Sequence, residues 1–191
     1  MKSVTTFSKL FFLFPALLFW ISCGAQDQSG GSEKSEYEIQ IFGNASPAVF
    51  TPLDTTDQYW KEKLDPHSYY VLREEGTERP FTGKYDDFKK EGIFCCKGCG
   101  LPLFSTDHKF DSGTGWPSYT QPVAPGVIRY IEDRSLGMRR VEVLCNRCGG
   151  HQGHVFEDGP RPTGLRYCIN SAALDFAPKE EAASKLNEIG Y

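Results

Sequence analysis

The sequence predicts a mostly antiparallel β domain over residues 45–178. Aromatic residues make up 14% of the 191-residue chain, and Gly (19) and Pro (12) are frequent, which favours short strands joined by turns over a helical bundle. The length is sufficient for one domain with a proper core. The formal net charge is -4 and there is no basic run, so the composition argues against a nucleic-acid partner.

The first 22 residues have the pattern of an export signal rather than of a folded element. Lys2 and Lys9 accompany an apolar run of 12 residues at positions 10–21, a length that fits a signal peptide and is short for a bilayer span. Cys23 follows a small residue, as in a bacterial lipobox, although Trp20 stands where leucine is usual. An ordinary secretory signal is the alternative. We expect an exported, cell-envelope protein, with a lipid on Cys23 as its membrane anchor.

The segments between the signal and the domain are assigned in chain order. Residues 23–44 are predicted to be a flexible tether, because they begin with a long polar stretch rich in Gly and Ser. The threonine pair at 55–56 can cap a short helix over residues 57–64. Residues 68–73 fit either a strand or a short helix.

Alternating apolar and polar residues identify the strands of the domain. The pattern is clearest at residues 127–132 and 138–144. Residues 93–96 and 165–169 are further strand candidates. The C-terminal tail, residues 179–191, has a helical composition with few apolar anchors, and we expect it to be peripheral.

Two C-x-x-C pairs form the first group of candidate functional residues: Cys96 with Cys99, and Cys145 with Cys148. Each pair follows a predicted strand and precedes a glycine, so the two turns can bring four thiolates around a tetrahedral zinc ion. The 45 residues between the pairs exceed the usual zinc-ribbon spacing, which requires a substantial insertion of sheet. Disulfides or redox-active pairs are the alternatives in an exported protein. The sequence favours a structural Zn²⁺, because cysteines three apart close a strained loop.

Cys168 stands apart from these pairs and is the candidate reactive thiol. In a strand, the side chains of Arg166, Cys168 and Asn170 project from one face. A guanidinium beside a thiol favours the thiolate, which is the nucleophilic form. His151 and His154 lie nearby in sequence, in glycine-rich surroundings. The alternatives are a buried, inert cysteine and histidines that bind a second metal or lie on the surface.

Trp116 lies in a loop of glycines and a proline, residues 113–118. An indole held in such a loop can present an apolar surface to a ligand. A core tryptophan that anchors the loop is the alternative, and the loop pattern alone favours that alternative.

Three long motifs, together with the cysteine pairs, resemble the B-type methionine sulfoxide reductases, also called peptide-methionine (R)-S-oxide reductases. The motifs are GTERPFTGKY (76–85), KFDSGTGWPSY (109–119) and GHVFEDGPRPTGLRYCINSAAL (153–174). The resemblance extends from about Tyr59 to Phe176 without a large gap, and motifs of this length are highly specific. It implies a mainly β fold of two antiparallel sheets with few short helices and a small structural zinc site, and it assigns residues 45–178 as the reductase domain.

The resemblance also implies a role for each candidate residue. Cys168 matches the catalytic nucleophile and Trp116 matches the residue that receives the substrate's S-methyl group. The paired cysteines match the zinc ligands. The remaining polar residues of the pocket match His151, His154, Arg166 and Asn170.

A chemical course follows from these roles. Thiolate attack on the sulfoxide sulfur requires protonation of the oxygen, by a histidine or through a water. Methionine then leaves and Cys168 remains as a sulfenic acid. The implied partners are oxidised proteins that contain methionine R-sulfoxide and a thioredoxin-like or other thiol reductant, and a monomer is the default.

The chain departs from the common family pattern at two positions. Many members carry a recycling cysteine in a G-C-G-W loop, whereas this chain has Thr114 before Gly115 and Trp116. Threonine cannot form a disulfide, so we expect direct reduction of the sulfenic acid, with Cys95 as a less favoured resolving partner. Gln152 replaces a frequent leucine between the histidines, and we interpret it as a change at the rim of the pocket.

Two other classes of function are compatible with part of the sequence. A zinc-ribbon binding module without catalysis would explain the C-x-x-C pairs but would leave Cys168, Trp116 and the histidines without a role. A hydrolase or acyltransferase could use Cys168 with a histidine, but it would not consume a reductant. The resemblance favours the reductase over both.

Overall fold

The computed structural model describes Met1 and residues 35–191. The predicted signal peptide, Cys23 and most of the predicted tether therefore lie outside the described residues. In the described part of the chain, four α-helices and nine β-strands occur in the order α1 (Glu36–Phe42), α2 (Asp57–Lys63), α3 (Pro66–Arg73), β1 (Gly92–Cys96), β2 (Pro102–Ser105), β3 (Lys109–Phe110), β4 (Ser118–Tyr119), β5 (Ile128–Asp133), β6 (Arg140–Cys145), β7 (His151–Phe156), β8 (Arg166–Ile169), β9 (Leu174–Pro178) and α4 (Lys179–Asn187). None of these helices is long and apolar enough to cross a membrane.

The strands form two antiparallel sheets, which confirms the predicted fold class. The smaller sheet has three strands in the order β2-β1-β9, and the larger has six in the order β3-β4-β8-β7-β6-β5. Every pairing between neighbouring strands is antiparallel. The long connection from β7 to β8 contains the prolines and glycines that the sequence shows at 159–164.

Aromatic side chains from both sheets build the main core. Phe104 of β2 stacks on Tyr119 of β4 with ring centroids 4.5 Å apart, and Phe94 of β1 meets the same tyrosine edge-on at 5.4 Å. Tyr167 of β8 contacts Phe104 at 5.8 Å. All four rings are fully buried. Aromatic pairs in these geometries contribute about 0.5–1.5 kcal/mol beyond their burial, so this cluster joins the two sheets.

Helices α2 and α3 come directly before the first strand, and their caps explain where they begin. The Thr56 hydroxyl accepts a hydrogen bond from Tyr59 N at the start of α2, as the sequence predicted. The ambiguous residues 68–73 belong to helix α3. The Asp65 carboxylate caps this helix and Pro66 occupies its first turn, where a missing N–H costs nothing.

The chain ends are more closely packed than the sequence predicted. Helix α1 lies inside the predicted tether, so that prediction is corrected for residues 36–42. Its Glu38 is buried and accepts a hydrogen bond from Gly126 N at 2.5 Å. Helix α4 packs against β1, and Ile189 beyond it is only 2% exposed in the main core. A single buried residue in a polar segment produces no periodic pattern, which is why composition did not indicate either contact.

The pairing of β7 with β8 places the candidate site. His154 lies opposite Cys168, and Gly153 lies opposite Ile169. A Cβ atom at position 153 would lie 2.0 Å from the Cys168 carbonyl oxygen, so the backbones approach too closely for any side chain. On its other edge, β7 carries a β-bulge against β6: Val143 pairs with Gly153 but Leu144 pairs with His151. Bulges redirect side chains near functional sites, and this one lies between the two histidines.

Candidate active site

A small cavity of about 140 Å³ opens where β7, β8 and the Trp116 loop meet. Its lining combines one thiol, one indole, one histidine and several polar groups. The residues are Thr77, Trp116, Arg140, Gly153, His154, Phe156, Cys168 and Asn170. Of the predicted pocket residues, Cys168, Trp116, His154 and Asn170 meet in this cavity, whereas Arg166 lies beside it.

The Cys168 thiol is half-buried on β8. Its sulfur lies 3.9 Å from the Thr114 hydroxyl oxygen, so the position that would carry a recycling cysteine is directly beside it. Burial raises the pKa of the Cys168 thiol above its ordinary value, while the positive charge of Arg166 and the Thr114 hydroxyl partly oppose this rise. The sequence-based expectation of a favoured thiolate is therefore corrected: Arg166 acts in the expected direction, but desolvation is the larger effect.

Arg166 is held beside the cavity by two other side chains. Its Nε and Nη2 each donate to the Asp158 carboxylate at 2.8 Å, and its guanidinium lies 4.5 Å from the centre of the Phe156 ring. A bidentate ion pair of this kind fixes the plane of the guanidinium. The charge near Cys168 is therefore held in a defined place.

Trp116 is fixed by its indole nitrogen. Nε1 donates to the main-chain oxygen of Glu78 at 3.1 Å. The preceding Gly115 has a φ of +87°, and a Cβ there would lie 2.6 Å from Phe81 N, so glycine is required at this turn. The loop is also tied to β8, because Ile169 N donates to the Pro117 oxygen at 3.0 Å. These contacts hold the Trp116 indole in a defined position relative to the Cys168 thiol.

Asn170 lines the cavity, and its side chain also bonds to the main chain of two neighbouring segments. The residue is 3% exposed. Its Oδ1 accepts from Glu78 N at 3.0 Å, and its Nδ2 donates to the Gln152 oxygen at 3.0 Å. The Glu78 carboxylate is buried as well, and it accepts from Ser171 N at 2.6 Å and Ala172 N at 2.9 Å. These bonds satisfy a carboxylate that would otherwise be costly to bury.

The two histidines occupy different environments. His154 lines the cavity, and its Nε2 lies 2.8 Å from the Asp133 carboxylate. Burial lowers the pKa of His154, although the hydrogen bond to Asp133 opposes this effect. His151 is buried, and its Nδ1 lies 2.6 Å from Glu142 Oε1. The two rings are 5.5 Å apart, so His151 lies behind His154 and outside the lining of the cavity.

The four paired cysteines converge at a second place in the fold. Their sulfur atoms all lie within 4.8 Å of one another, with Cys99 to Cys145 at 3.5 Å and Cys96 to Cys148 at 3.7 Å. All four are free thiols. The separations exceed the roughly 2.05 Å of a disulfide and match the roughly 3.8 Å between sulfurs that zinc–sulfur bonds of about 2.3 Å give in a tetrahedron. The residues present therefore fit a metal ion.

Cys95 does not reach the cavity described above. It lies on β1 of the smaller sheet, is 6% exposed, and packs in an apolar cluster with Ile93 and Ala177. Burial raises the pKa of the Cys95 thiol to about 12. It has the environment of a packing residue.

Several residues of the site escaped the sequence analysis. Gln152, interpreted as a rim residue, is fully buried, and its Nε2 lies 3.5 Å from Cys96 Sγ; the rim interpretation is wrong because the β-bulge turns this side chain inward. Others had no assigned role: Thr77, Glu78, Asp133, Arg140, Glu142 and Phe156. Thr77, Glu78 and Phe156 lie in the long motifs that carry the family resemblance, so the resemblance could have indicated these three residues.

Comparison with known proteins matches this chain to a protein family. The SelR domain matches residues 64–178, a range that includes every residue of the cavity and all four paired cysteines. A protein of Saccharophagus degradans is 56% identical over 118 residues, which cover 62% of this chain and 88% of the relative. A protein of Methanosarcina mazei is 50% identical over 133 residues (70% and 95%), and one of Leptospira interrogans is 54% identical over 124 residues (65% and 95%). Each is named a peptide methionine sulfoxide reductase MsrB.

The environment of Cys168 predicts the pH dependence of its reactivity. We expect alkylation of Cys168 by iodoacetamide to accelerate with pH through an apparent pKa above the ordinary thiol value, because burial disfavours the thiolate. In Arg166→Ala the midpoint should move to higher pH, because the nearby positive charge is lost, and alkylation at pH 8 should slow several-fold. Peptide mapping by mass spectrometry measures the rate at Cys168 separately from the other cysteines.

Two control variants complete this experiment. Arg166→Lys retains the charge and should show a smaller shift, and Arg134→Ala removes an exposed arginine and should show none. A wild-type midpoint below the ordinary thiol value, or an unchanged midpoint in Arg166→Ala, would contradict the assignment of burial and Arg166 as the opposing influences.

Proposed function

The chain belongs to the SelR-domain family, the B-type methionine sulfoxide reductases, and is accordingly a peptide-methionine (R)-S-oxide reductase; we propose that it works through a sulfenic acid on Cys168. The family match covers residues 64–178, and the chain covers 88–95% of the three relatives described above. The substrate is the R epimer of methionine sulfoxide in oxidised proteins.

The observation that carries the proposal is that one small cavity contains both the Cys168 thiol and the Trp116 indole. The indole offers an apolar surface for the S-methyl group, and Phe156 adds to it. Polar groups of His154, Arg140 and Asn170 line the same cavity and suit the sulfoxide oxygen. Placing methyl and oxygen on different sides fixes the handedness at sulfur, which is how one enzyme acts on one epimer.

The reaction balances with one thiol and one sulfoxide. The sulfur of Cys168 attacks the sulfoxide sulfur and takes over its oxygen, so that a sulfur–oxygen bond is broken in the substrate and one is formed on Cys168. The thiol sulfur is oxidised to the sulfenic acid and the sulfoxide is reduced to the thioether. The hydrogen of the thiol is transferred from sulfur to the oxygen of the sulfenic acid, and methionine leaves.

His154 is the histidine that we assign to the proton transfer. It faces Cys168 across the β7–β8 pair, and side chains at opposed positions of antiparallel strands are neighbours. Burial lowers its pKa and so favours the neutral ring, which can accept the thiol proton and pass it to the oxygen, directly or through a water. Asp133 holds the ring by its Nε2. His151 and Glu142 support this arrangement from behind.

Regeneration of Cys168 is assigned to an external thiol reductant of the thioredoxin type. Thr114 occupies the place beside Cys168 and cannot form a disulfide. Cys95 is buried in the other sheet with a pKa of about 12, so it is a poor attacking thiol. The half-buried sulfur of Cys168 is left for direct attack by the reductant.

We assign zinc to the four-cysteine cluster, on its donor set and sulfur spacing. A tetrathiolate site would join the C-x-x-C turn that follows β1 to the C-x-x-C turn that follows β6, and it would contribute folding stability. Metal analysis of the purified protein should find one zinc per chain, and chelation should lower the melting temperature. Loss of zinc from Cys99→Ser is expected, whereas Cys95→Ser should retain it. Zinc-free protein of unchanged stability would contradict the assignment.

Location at the cell envelope is proposed from the N-terminal pattern alone. Positive charge, the apolar run of 12 residues and Cys23 fit an exported lipoprotein. Expression in a bacterial host should give a membrane-bound form whose N-terminal peptide carries acyl chains on Cys23. Cys23→Ser should abolish acylation. Recovery of unprocessed, unacylated wild-type protein in the cytosol would contradict the proposal.

Turnover of the separate epimers tests the function itself. With N-acetyl methionine sulfoxide and excess dithiothreitol, we expect the R epimer alone to be consumed, because the indole and the polar groups of the cavity would fix the placement of methyl and oxygen. Cys168→Ser should lower the rate by at least about 10³-fold, as expected when a nucleophile is removed. Reduced product is measured by chromatography.

The matched control for this experiment is Cys95→Ser, which removes a buried thiol outside the cavity and should retain turnover. Consumption of the S epimer, or full activity in Cys168→Ser, would contradict the proposal.

A further inference from the structure

Gln152 lies between the cysteine cluster and the active-site cavity, with contacts to both. We propose that Gln152 is a positioning residue that ties the metal site to the cavity, with its side-chain amide on the Cys96 sulfur and its main-chain oxygen on Asn170. The bonds concerned are 3.5 Å from Nε2 to Cys96 Sγ and 2.8 Å from Asn170 N to the Gln152 oxygen. Gln152 neither lines the cavity nor belongs to the four-cysteine cluster, so this positioning role is additional to the reductase activity.

The β-bulge in β7 is what allows Gln152 to contact both sites. Val143 pairs with Gly153 and Leu144 pairs with His151, so Gln152 is the extra residue of the bulge. An extra residue is released from the strict alternation of faces. Its side chain is fully buried and directed to Cys96, while the next residues, Gly153 and His154, line the cavity.

An amide at this position can stabilise the negative charge of the metal site. Four thiolates around a divalent cation leave a formal charge of about -2 in the interior, and a buried charge requires hydrogen-bond donors. The Gln152 Nε2 supplies one such donor to Cys96. A leucine here would fill a similar volume but would have no donor.

The remaining contacts of the amide argue against simple space-filling. Nε2 also lies 3.1 Å from the Gly150 oxygen, whereas Oε1 is buried without a hydrogen-bond partner. An unpartnered buried oxygen costs free energy, so a glutamine that only filled space would be less favourable than leucine. The donated bonds offset that cost and hold the amide in one orientation.

The main chain of Gln152 extends the connection into the cavity. Its oxygen accepts from both the N–H and the Nδ2 of Asn170. Asn170 Oδ1 accepts from Glu78 N, and the Glu78 oxygen accepts from Trp116 Nε1. A continuous series of hydrogen bonds therefore runs from a cysteine of the metal site to the indole that receives the substrate. A residue that is anchored at the cysteine end restricts the movement of the whole series.

The experiment compares full-length wild type with Gln152→Leu and Gln152→Glu. We expect zinc to bind about 10–100-fold more weakly in Gln152→Leu, the usual cost of removing an outer partner of a metal ligand, as measured by competition with a chromogenic chelator. In cobalt-substituted protein, the sulfur-to-cobalt absorption band should move to longer wavelength, because a thiolate without its hydrogen bond is a stronger electron donor. Gln152→Glu sets a carboxylate against the thiolate and should bind zinc weakest.

Hydrogen exchange tests the connection to the cavity. In zinc-loaded Gln152→Leu, the amides of residues 170–172 should exchange faster than in wild type, because the Gln152 main chain that holds Asn170 is no longer anchored. Gln58→Leu, the same change on the exposed surface of α2, should alter none of the readouts. If Gln152→Leu does not fold, Gln152→Met, which retains the length without the N–H, replaces it.

Each result decides a part of the inference. A wild-type cobalt band and wild-type zinc affinity in Gln152→Leu would overturn the role at the metal, and unchanged exchange at residues 170–172 would overturn the role at the cavity. None of these readouts depends on reductase activity. Failure of the proposed function would therefore be seen separately, as a lack of turnover in wild type.

Discussion

The contact between the backbones of β7 and β8 at Gly153 is the constraint on which the site depends. The absence of a Cβ atom allows the Cys168 carbonyl to come within 2.0 Å of the place where that atom would lie. The strands can then pair with His154 opposite Cys168. A larger residue would separate the strands or shift their register, and a shift by one residue would turn the Cys168 side chain to the other face of the sheet. Cys168 and His154 are thus brought together by a main-chain contact.

A buried acidic residue, Glu78, completes the other side of the cavity. Its carboxylate accepts two main-chain N–H bonds from residues 171 and 172, and its own main chain bonds to Asn170 and to Trp116. A buried carboxylate is stable only when such donors satisfy it, so the chain segment before β1 is held firmly over the end of β8. The indole is consequently positioned by a residue 38 positions away. Burial of Glu78 and the hydrogen bonds that satisfy it stabilise the same segment, as in other fully connected buried networks.

The parts of this arrangement that could be predicted are those that depend on local spacing or long motifs. The C-x-x-C pairs, the strand of Cys168 and the cap of Thr56 fall into this class, and the structure places them as expected. Contacts between distant residues could not be predicted, because neither composition nor periodicity records them: Glu78 with Asn170, Asp133 with His154, and Gln152 with Cys96. The pKa of Cys168 also required the fold, since it is decided by the balance between burial and Arg166.

We propose that one thiol, Cys168, takes the oxygen and keeps it until an external reductant arrives, because its neighbour is Thr114. A single-turnover experiment without reductant tests it most directly. Reduced enzyme is mixed with excess R-sulfoxide of N-acetyl methionine and then with dimedone, which traps sulfenic acids, and the peptides are mapped by mass spectrometry. We expect one methionine formed per chain and a dimedone adduct on Cys168, with no disulfide. A disulfide between Cys168 and Cys95, or methionine formed without any change at Cys168, would contradict it.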